Sequence, residues 1–175
     1  MNVNETACFF GHRNISRTTE LENALRNEIG KLITVNGIKR FMFGSKSQFD
    51  DLCYDIVTEL KIKYPYIQRI YVRAEFPQID ESYMAYLLKK YEDTYFPEGI
   101  LGAGKATYVE RNYEMIEKSS VCVIYYDENY LPINRSNRNI SSKPKKASGT
   151  SIAYMYAQRK KRRIINLANL NTLTS

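Results

Sequence analysis

The chain of 175 residues has no tryptophan, a single histidine and no apolar run approaching the length of a membrane span. Such a span needs about 20 predominantly apolar residues, so we expect no membrane-spanning helix and no membrane partner. Residues 1–5 also lack the basic and apolar regions of a signal peptide. We therefore expect a cytoplasmic protein.

Cysteine is scarce, and its positions argue against a metal site. Cys8, Cys53 and Cys122 lie within apolar patterns, and no two of them are spaced as a metal-binding pair. Thiols in such surroundings are typically buried and reduced. The sequence therefore predicts three buried, reduced thiols, no metal site and no cofactor.

Acidic residues are missing from the last quarter of the chain. All 19 of them lie in residues 1–128, whereas residues 129–175 carry 10 of the 26 basic residues. An electropositive patch of this kind can attract nucleic acid, a phosphorylated small molecule or an acidic partner. Five of the charges form the run 159–163, which is also typical of the exposed last turn of a helix, where cations favour the helix dipole.

Apolar residues follow a pattern of alternating strands and helices. With 43% hydrophobic and 26% charged residues, the composition is that of one globular domain over residues 1–175. Short β-rich runs alternate with segments of helical periodicity, and the strands are predicted near 6–11, 38–43, 67–74, 121–126 and 164–167. This order predicts an α/β fold, a doubly wound and mostly parallel sheet of about five strands with helices on both faces.

Two connecting segments stand out by composition. Residues 93–104 contain three glycines and a proline, which predicts a long loop, and loops of this length are usually functional or disordered. Residues 127–146 have no hydrophobic period and are rich in Asn, Ser, Arg and Lys. We predict that this second segment is a mobile basic insertion.

Polar glycine turns follow three of the predicted strands, at 11–13, 44–46 and 148–150. Because the carboxyl ends of parallel strands meet at one edge of a sheet, the three turns should converge there, where open α/β sheets bind ligands. The histidine of the first turn, His12, could contact a ligand or hydrogen-bond to a neighbouring loop. The convergence is a stronger indication than any single turn.

Several motifs recur in order along the chain: Cys-Phe-Phe-Gly-His-Arg at 8–13, Phe-Met-Phe-Gly at 41–44, Tyr-Phe-Pro-Glu-Gly at 95–99, Arg111-Asn112, and Ser-Gly-Thr at 148–150. Over roughly residues 6–167 this series resembles the YpsA-like branch of the SLOG superfamily. The resemblance implies a Rossmann-like fold. Relatives in that superfamily include DprA, which handles single-stranded DNA, the Lonely-guy phosphoribohydrolases, and sensor domains for nucleotide ligands.

The resemblance also implies where a nucleotide would bind. The residues that it assigns to the ligand are Gly11, His12, Arg13, Gly44, Ser45, Asp50, Arg111, Asn112, Ser148, Gly149 and Thr150. Backbone N–H groups at the start of a helix can hold a phosphate, and arginine can pair with its charge. The Asp50 carboxylate could accept ribose hydroxyls, or it could be an acid in the first turn of a helix that favours the dipole.

Two positions depart from the family pattern. Ser47 replaces a usual glycine, and Met155 stands where many relatives place a glutamate that the phosphoribohydrolases use in catalysis. Methionine can neither transfer a proton nor stabilise an oxocarbenium-like centre. Glu98 is then the best remaining acid, and it could equally be a structural residue of its loop.

Three functions follow from these observations. The first is a non-catalytic sensor or sequestering module for a nucleotide-derived molecule, such as ADP-ribose or another NAD derivative. The alternative is a nucleoside-phosphate or NAD-derivative glycohydrolase, with Glu98 or Asp50 as the acid and His12 assisting. The last is a single-stranded DNA-binding protein that uses the basic end of the chain and stacks bases on tyrosines. We also expect a homodimer.

Overall fold

The computed structural model describes residues 2–44, 46–130 and 148–168. In this part of the chain, strands and helices alternate almost throughout. The elements are β1 (Thr6–Gly11), α1 (Thr19–Thr34), β2 (Arg40–Phe43), α2 (Gln48–Lys63), β3 (Gln68–Val72), α3 (Glu81–Leu88), β4 (Asp93–Tyr95), α4 (Thr107–Glu117), β5 (Val121–Tyr125), α5 (Gly149–Arg159) and β6 (Arg163–Asn166).

All strand pairs of the sheet are parallel, in the order β4-β3-β2-β1-β5-β6. Strand β1 lies between β2 and β5, with Cys8 opposite Met42 on one side and Cys122 on the other. The chain therefore builds outward from β1 to β4 and then returns to the opposite side of β1. This arrangement confirms the predicted α/β, doubly wound fold, with six strands in the described residues instead of about five.

The additional strand, β4, lies in the segment predicted to be a loop. It pairs with the end of β3, with Tyr95 opposite Val72, and the Thr94 hydroxyl donates to the carbonyl of Tyr71 at 2.8 Å. Three residues are too few to show a hydrophobic period, which is why the sequence pattern missed the strand. The rest of the segment contains the short 3₁₀ turns Glu98–Ile100 and Gly104–Ala106.

The alternation of side chains along the strands divides the core into two layers. Ala7 and Phe9 of β1 pack with the buried side chains of α1 and α2, whereas Cys8 and Phe10 pack with those of α4 and α5. Successive residues of a strand point to opposite faces, so each face of the sheet carries a helical layer. This confirms the expected helices on both faces.

Side-chain caps fix the beginnings of four helices. The capping residues are Thr18, Ser47, Asp80 and Ser148, each of which accepts a backbone N–H from the first turn of its helix. Such caps satisfy donors that have no partner within the helix.

The three cysteines are free and buried, as predicted. Two of them meet across the β1–β5 pair, where the sulfur atoms of Cys8 and Cys122 are 3.6 Å apart. Burial raises the pKa of the Cys8 thiol, which therefore stays protonated. Within the parts of the chain that the structure describes, no helix is long and apolar enough to cross a bilayer.

Candidate functional site

A cavity of about 700 Å³ opens at the carboxyl edge of the sheet. Its volume lies within the range of small-molecule sites, roughly 300–1,000 Å³. It is situated where the chain switches from one side of β1 to the other, the point at which open α/β sheets bind ligands. Its lining residues come from the carboxyl ends of β1, β2 and β3 and the segments after them, from α3 and α4, from the start of α5 and from the segment after β5.

Most of the site residues predicted from the sequence line this cavity. They are Gly11, His12, Arg13, Gly44, Arg111, Asn112, Ser148, Gly149 and Thr150. Ser45 lies outside the described residues, as does most of the predicted insertion 127–146, of which 127–130 are described. The three glycine turns therefore converge on one cavity.

The carboxylates considered as acids lie elsewhere. Asp50 is buried in the first turn of α2 and does not line the cavity; its Oδ2 accepts the backbone N–H of Gly44 at 3.4 Å. Glu98 is exposed in a 3₁₀ turn outside the cavity. Met155, at the family's acid position, is 62% exposed and also lies outside it. Asp50 thus supports the turn after β2, and neither Asp50 nor Glu98 faces the space where a ligand would lie.

His12 joins the turn after β1 to the segment after β5. Its Nε2 lies 2.9 Å from the backbone nitrogen and 3.1 Å from the carbonyl oxygen of Asp127, and its ring stacks on Tyr130 with centroids 3.9 Å apart and planes inclined by 7°. Burial lowers the pKa of His12, although the hydrogen bond and charge of Asp127 oppose this. The lowered pKa favours the neutral imidazole near pH 7, and its tautomer decides whether Nε2 accepts the N–H of Asp127 or donates to the carbonyl.

The turn after β1 is also held against the start of α2. The carbonyl of Arg13 accepts the backbone N–H of Gln48 at 2.9 Å, and the side-chain oxygen of Gln48 accepts the N–H of Ile15 at 2.9 Å. Gly11 packs so closely on Phe49 that a Cβ there would overlap that side chain. Glycine is required at this position by close packing, whatever contact it makes with a ligand.

Arg111 places a buried positive charge in the cavity. The residue is 2% exposed, and its Nη1 donates to the carbonyls of Gly44 and, at 3.2 Å, of Val72. Its Nε donates to the Asn112 side chain at 2.9 Å. No carboxylate of the described residues forms an ion pair with it. Burial lowers the pKa of Arg111, and the nearby charges of Asp50 and Glu75 oppose this. They offset part of the cost of burying the cation, and an anion that accepts from the guanidinium would offset more of it.

The beginning of α5 provides donors at the same cavity. The hydroxyl of Ser148 caps the helix by accepting the N–H of Ser151 at 3.1 Å. The Cβ position of Gly149 faces open space, with no heavy atom within 4 Å. A helix of this length presents a partial positive charge and free N–H groups at its first turn. The geometry suits the close approach of an anion.

The cavity combines positive charge with aromatic surface. Glu75 is the only acidic residue among the described lining residues, whereas four are basic: Arg13, Lys46, Arg73 and Arg111. Ring side chains cover much of the remaining wall: Phe10, Tyr71, Phe76, Tyr83, Tyr108 and Tyr130. The site is therefore suited to a ligand with an anionic part and a flat apolar part.

Sequence reasoning missed Arg73, the tyrosines of the wall and Glu75. Arg73 directly follows β3, so the rule that located the other turns, polar residues at the carboxyl ends of parallel strands, would have found it. Tyr83 and Tyr108 begin helices that cross this edge, and nothing in their spacing distinguishes them from packing residues.

No cluster of three or more potential metal ligands occurs among residues 2–44, 46–130 and 148–168. The chain matches no protein-family model, and it has no significant match among curated proteins.

Proposed function

We propose that this protein is a nucleotide-binding module of the SLOG type, which holds a nucleotide or nucleotide-derived molecule without converting it. The observation that carries the proposal is the cavity itself, which is lined by a buried arginine outside any direct ion pair of the described residues, a helix N-terminus and aromatic side chains. A phosphate and a base are the chemical groups that these two kinds of surface recognise.

The phosphate belongs at the end of the cavity formed by Arg111 and the first turn of α5. The guanidinium of Arg111 is fixed by carbonyl groups, so it can meet an anion with little further loss of side-chain entropy. Arg13 is exposed at the rim and adds a second charge. The base belongs against the rings, where stacking contributes about 1–3 kcal/mol per base.

Binding is favoured over catalysis by the placement of the acids. Hydrolysis of a glycosidic bond needs carboxyl groups on either side of the scissile bond, and Asp50 and Glu98 do not line the cavity. A glycohydrolase is nevertheless the second candidate, because Glu75 does line it. In that case cleavage would be lost in Glu75→Gln while binding remained.

DNA binding through the basic run 159–163 has less support, because the run is engaged within the protein. Lys160 pairs with Glu117 at 2.7 Å, Arg162 donates to the carbonyl of Glu117 at 2.7 Å, and Arg163 donates to Asn36 at 3.0 Å. These contacts fit the end of a helix better than a surface for phosphates.

The test is calorimetric titration of the protein with AMP, ADP-ribose, NAD, cyclic nucleotides and a short single-stranded DNA, followed by chromatography of each mixture. We expect at least one nucleotide to bind and to be recovered intact. A cleaved product would favour the glycohydrolase, and binding of DNA alone would favour the third function. The absence of any binding would overturn the site.

Gly44→Ala is the matched variant for this test. A Cβ at Gly44 would lie 2.5 Å from Nη1 of Arg111, so the substitution should displace the guanidinium and weaken nucleotide binding at least tenfold. Arg26→Gln serves as the control, since Arg26 pairs with Glu59 at 3.0 Å outside the cavity and should leave the affinity unchanged.

A homodimer and a cytoplasmic location belong to the same proposal. Tyr86 and Leu88 of α3 are large apolar side chains that are about half exposed, which supports an interface. Light scattering coupled to size-exclusion chromatography measures the mass directly, and we expect twice that of the chain, whose own mass is 20.4 kDa.

A further inference from the structure

Arg73 is a second buried arginine of the cavity, and the turn motifs do not include it. It follows the last residue of β3, and its backbone N–H donates to the carbonyl of Tyr95 at 2.8 Å. The residue is 8% exposed and lines the cavity. Its place at the strand end is therefore fixed by the pairing of β3 with β4.

The guanidinium of Arg73 is only partly satisfied. Its Nη1 donates to the carbonyl of Phe76 at 2.6 Å and to that of Pro77 at 3.4 Å, whereas its buried Nε has no hydrogen-bond partner among the residues that the structure describes. No carboxylate in the described ranges pairs with it. Native proteins rarely leave a buried donor unpaired, and such groups often mark a ligand site.

The loop after Arg73 holds the guanidinium in one place. Phe76 adopts a positive φ of 56°, a conformation that bulky residues rarely take and that clusters at ligand sites. This turn directs its carbonyl to Arg73 Nη1. The charge is thus positioned before any ligand arrives.

Arg73 and Arg111 line the cavity at neighbouring positions. Nη1 of Arg111 donates to the carbonyl of Val72 at 3.2 Å, and Val72 directly precedes Arg73 in the chain. The cavity therefore contains two buried guanidinium groups, neither of them paired with a described carboxylate. Two phosphoryl groups joined by a bridging oxygen can each accept from a different guanidinium, whereas a monophosphate presents its oxygens around one phosphorus atom.

We propose that the ligand carries two linked phosphoryl groups, one held by Arg111 with the first turn of α5 and the other by Arg73. The inference rests on the proposed nucleotide binding and narrows it to nucleoside diphosphates and pyrophosphate esters. Arg73 is then the residue that distinguishes a diphosphate from a monophosphate.

The test compares AMP and ADP by calorimetry on the wild-type protein and on Arg73→Gln. We expect wild type to bind ADP at least tenfold more tightly than AMP. In Arg73→Gln this ratio should fall to within twofold of one, with the AMP affinity changed by less than twofold. Arg26→Gln is the control, because Arg26 lies outside the cavity, where it pairs with Glu59 at 3.0 Å, and its removal should leave the preference in place.

Failure of the inference can be distinguished from failure of the proposed function. Equal affinities for AMP and ADP in wild type, an unchanged ratio in Arg73→Gln, or an equal loss of the ratio in Arg26→Gln would overturn the role of Arg73 and leave nucleotide binding standing. No binding of either nucleotide would overturn both.

A measurement on the wild-type protein alone covers the case in which Arg73→Gln does not fold. Pyrophosphate should displace bound ADP at a concentration at least tenfold lower than orthophosphate does. Equal potency of the two anions would contradict the second phosphate position.

Discussion

Of the glycines in the chain, Gly11 has the least room for an added methyl group. Its Cβ would overlap the Cβ and ring of Phe49, both atoms of a buried side chain at the start of α2. Overpacking of this kind typically costs about 1–3 kcal/mol. We expect Gly11→Ala to lower the free energy of unfolding by at least that amount, measured by urea denaturation.

Gly30→Ala is the control for that substitution. Gly30 lies within α1, and no heavy atom lies within 4 Å of its Cβ position, so alanine should stabilise the helix by about 1 kcal/mol. Equal effects of the two substitutions would contradict the packing argument.

The single histidine allows a pH prediction at one residue. Because burial lowers the pKa of His12 in the folded protein, the unfolded chain takes up the proton first as the pH falls. The contribution of His12 to the free energy of unfolding is therefore complete above about pH 6.5, the pKa in the unfolded chain. It is lost as the pH decreases toward the lower pKa of the folded protein. The slope of unfolding free energy with pH cannot exceed about 1.4 kcal/mol per unit for one proton.

Nuclear magnetic resonance of the imidazole measures this directly, since the chain has one histidine. We expect a titration midpoint below that of a histidine in a short peptide. In His12→Phe, which keeps a ring against Tyr130, the slope between pH 7.5 and 5.5 should be smaller than in wild type. The remainder comes from carboxyl groups whose pKa is lowered in the folded protein, such as that of Glu92. A midpoint at or above the peptide value would contradict a buried, neutral imidazole.

At this scale the sequence predicted backbone turns better than side-chain roles. Gly11, Gly44 and Gly149 could be placed at the sheet edge because strand ends are readable from apolar periodicity. The burial of Asp50 against Gly44 and the uncompensated charge of Arg73 depend on how loops fold over the edge, which no local pattern encodes. From the sequence, His12 could contact a ligand or hydrogen-bond to a neighbouring loop, and in the structure it contacts the segment after β5.

Among the helices, α5 ends in an unfavourable conformation that can be improved. The N–H of Arg162 donates to Ala157 and that of Lys161 to Gln158, a Schellman pattern in which Lys161 has a φ of 55°. Glycine is preferred there because it has no Cβ to clash. We expect Lys161→Gly to stabilise the protein by about 1 kcal/mol.

Thermal unfolding checks the prediction for α5. In a chain of this size, about 1 kcal/mol corresponds to a rise in Tm of roughly 2–4 °C. Lys160→Gly is the comparison, since Lys160 has an ordinary negative φ and pairs with Glu117; it should lower Tm. A lower Tm for Lys161→Gly would show that its side chain contributes more than the backbone costs.

Element types were predictable where periodicity extends over many residues. The five buried side chains of α1, from Leu21 to Ile33, recur at helical spacing, and Val121–Ile124 is a continuous buried run. Strand β4 was not predictable, because its three residues are ordered by pairing with β3 and not by a pattern of their own. Whether such a short segment forms a strand depends on its tertiary contacts.

For the whole molecule, the proposed ligand should raise thermal stability in a salt-dependent way. A ligand at 100 times its Kd stabilises the native state by about 2.7 kcal/mol, which corresponds to a Tm increase of about 5–11 °C here. Because the described wall of the cavity carries four cations and one carboxylate, raising NaCl from 50 to 500 mM should weaken binding. Scanning calorimetry measures both, and a salt-independent shift would contradict recognition of an anion.

The order of the strands also determines what happens while the chain is being synthesised. Strand β1 can pair with β2 early, but its other neighbour contributes Cys122, which lies 114 residues after Cys8. At 5–20 residues per second the ribosome needs roughly 6–23 s to supply that partner. During this interval the apolar strand Thr6–Gly11 has an open edge, the kind of surface that recruits other chains, so nascent chains that end before residue 121 should depend on chaperones more than the complete protein does.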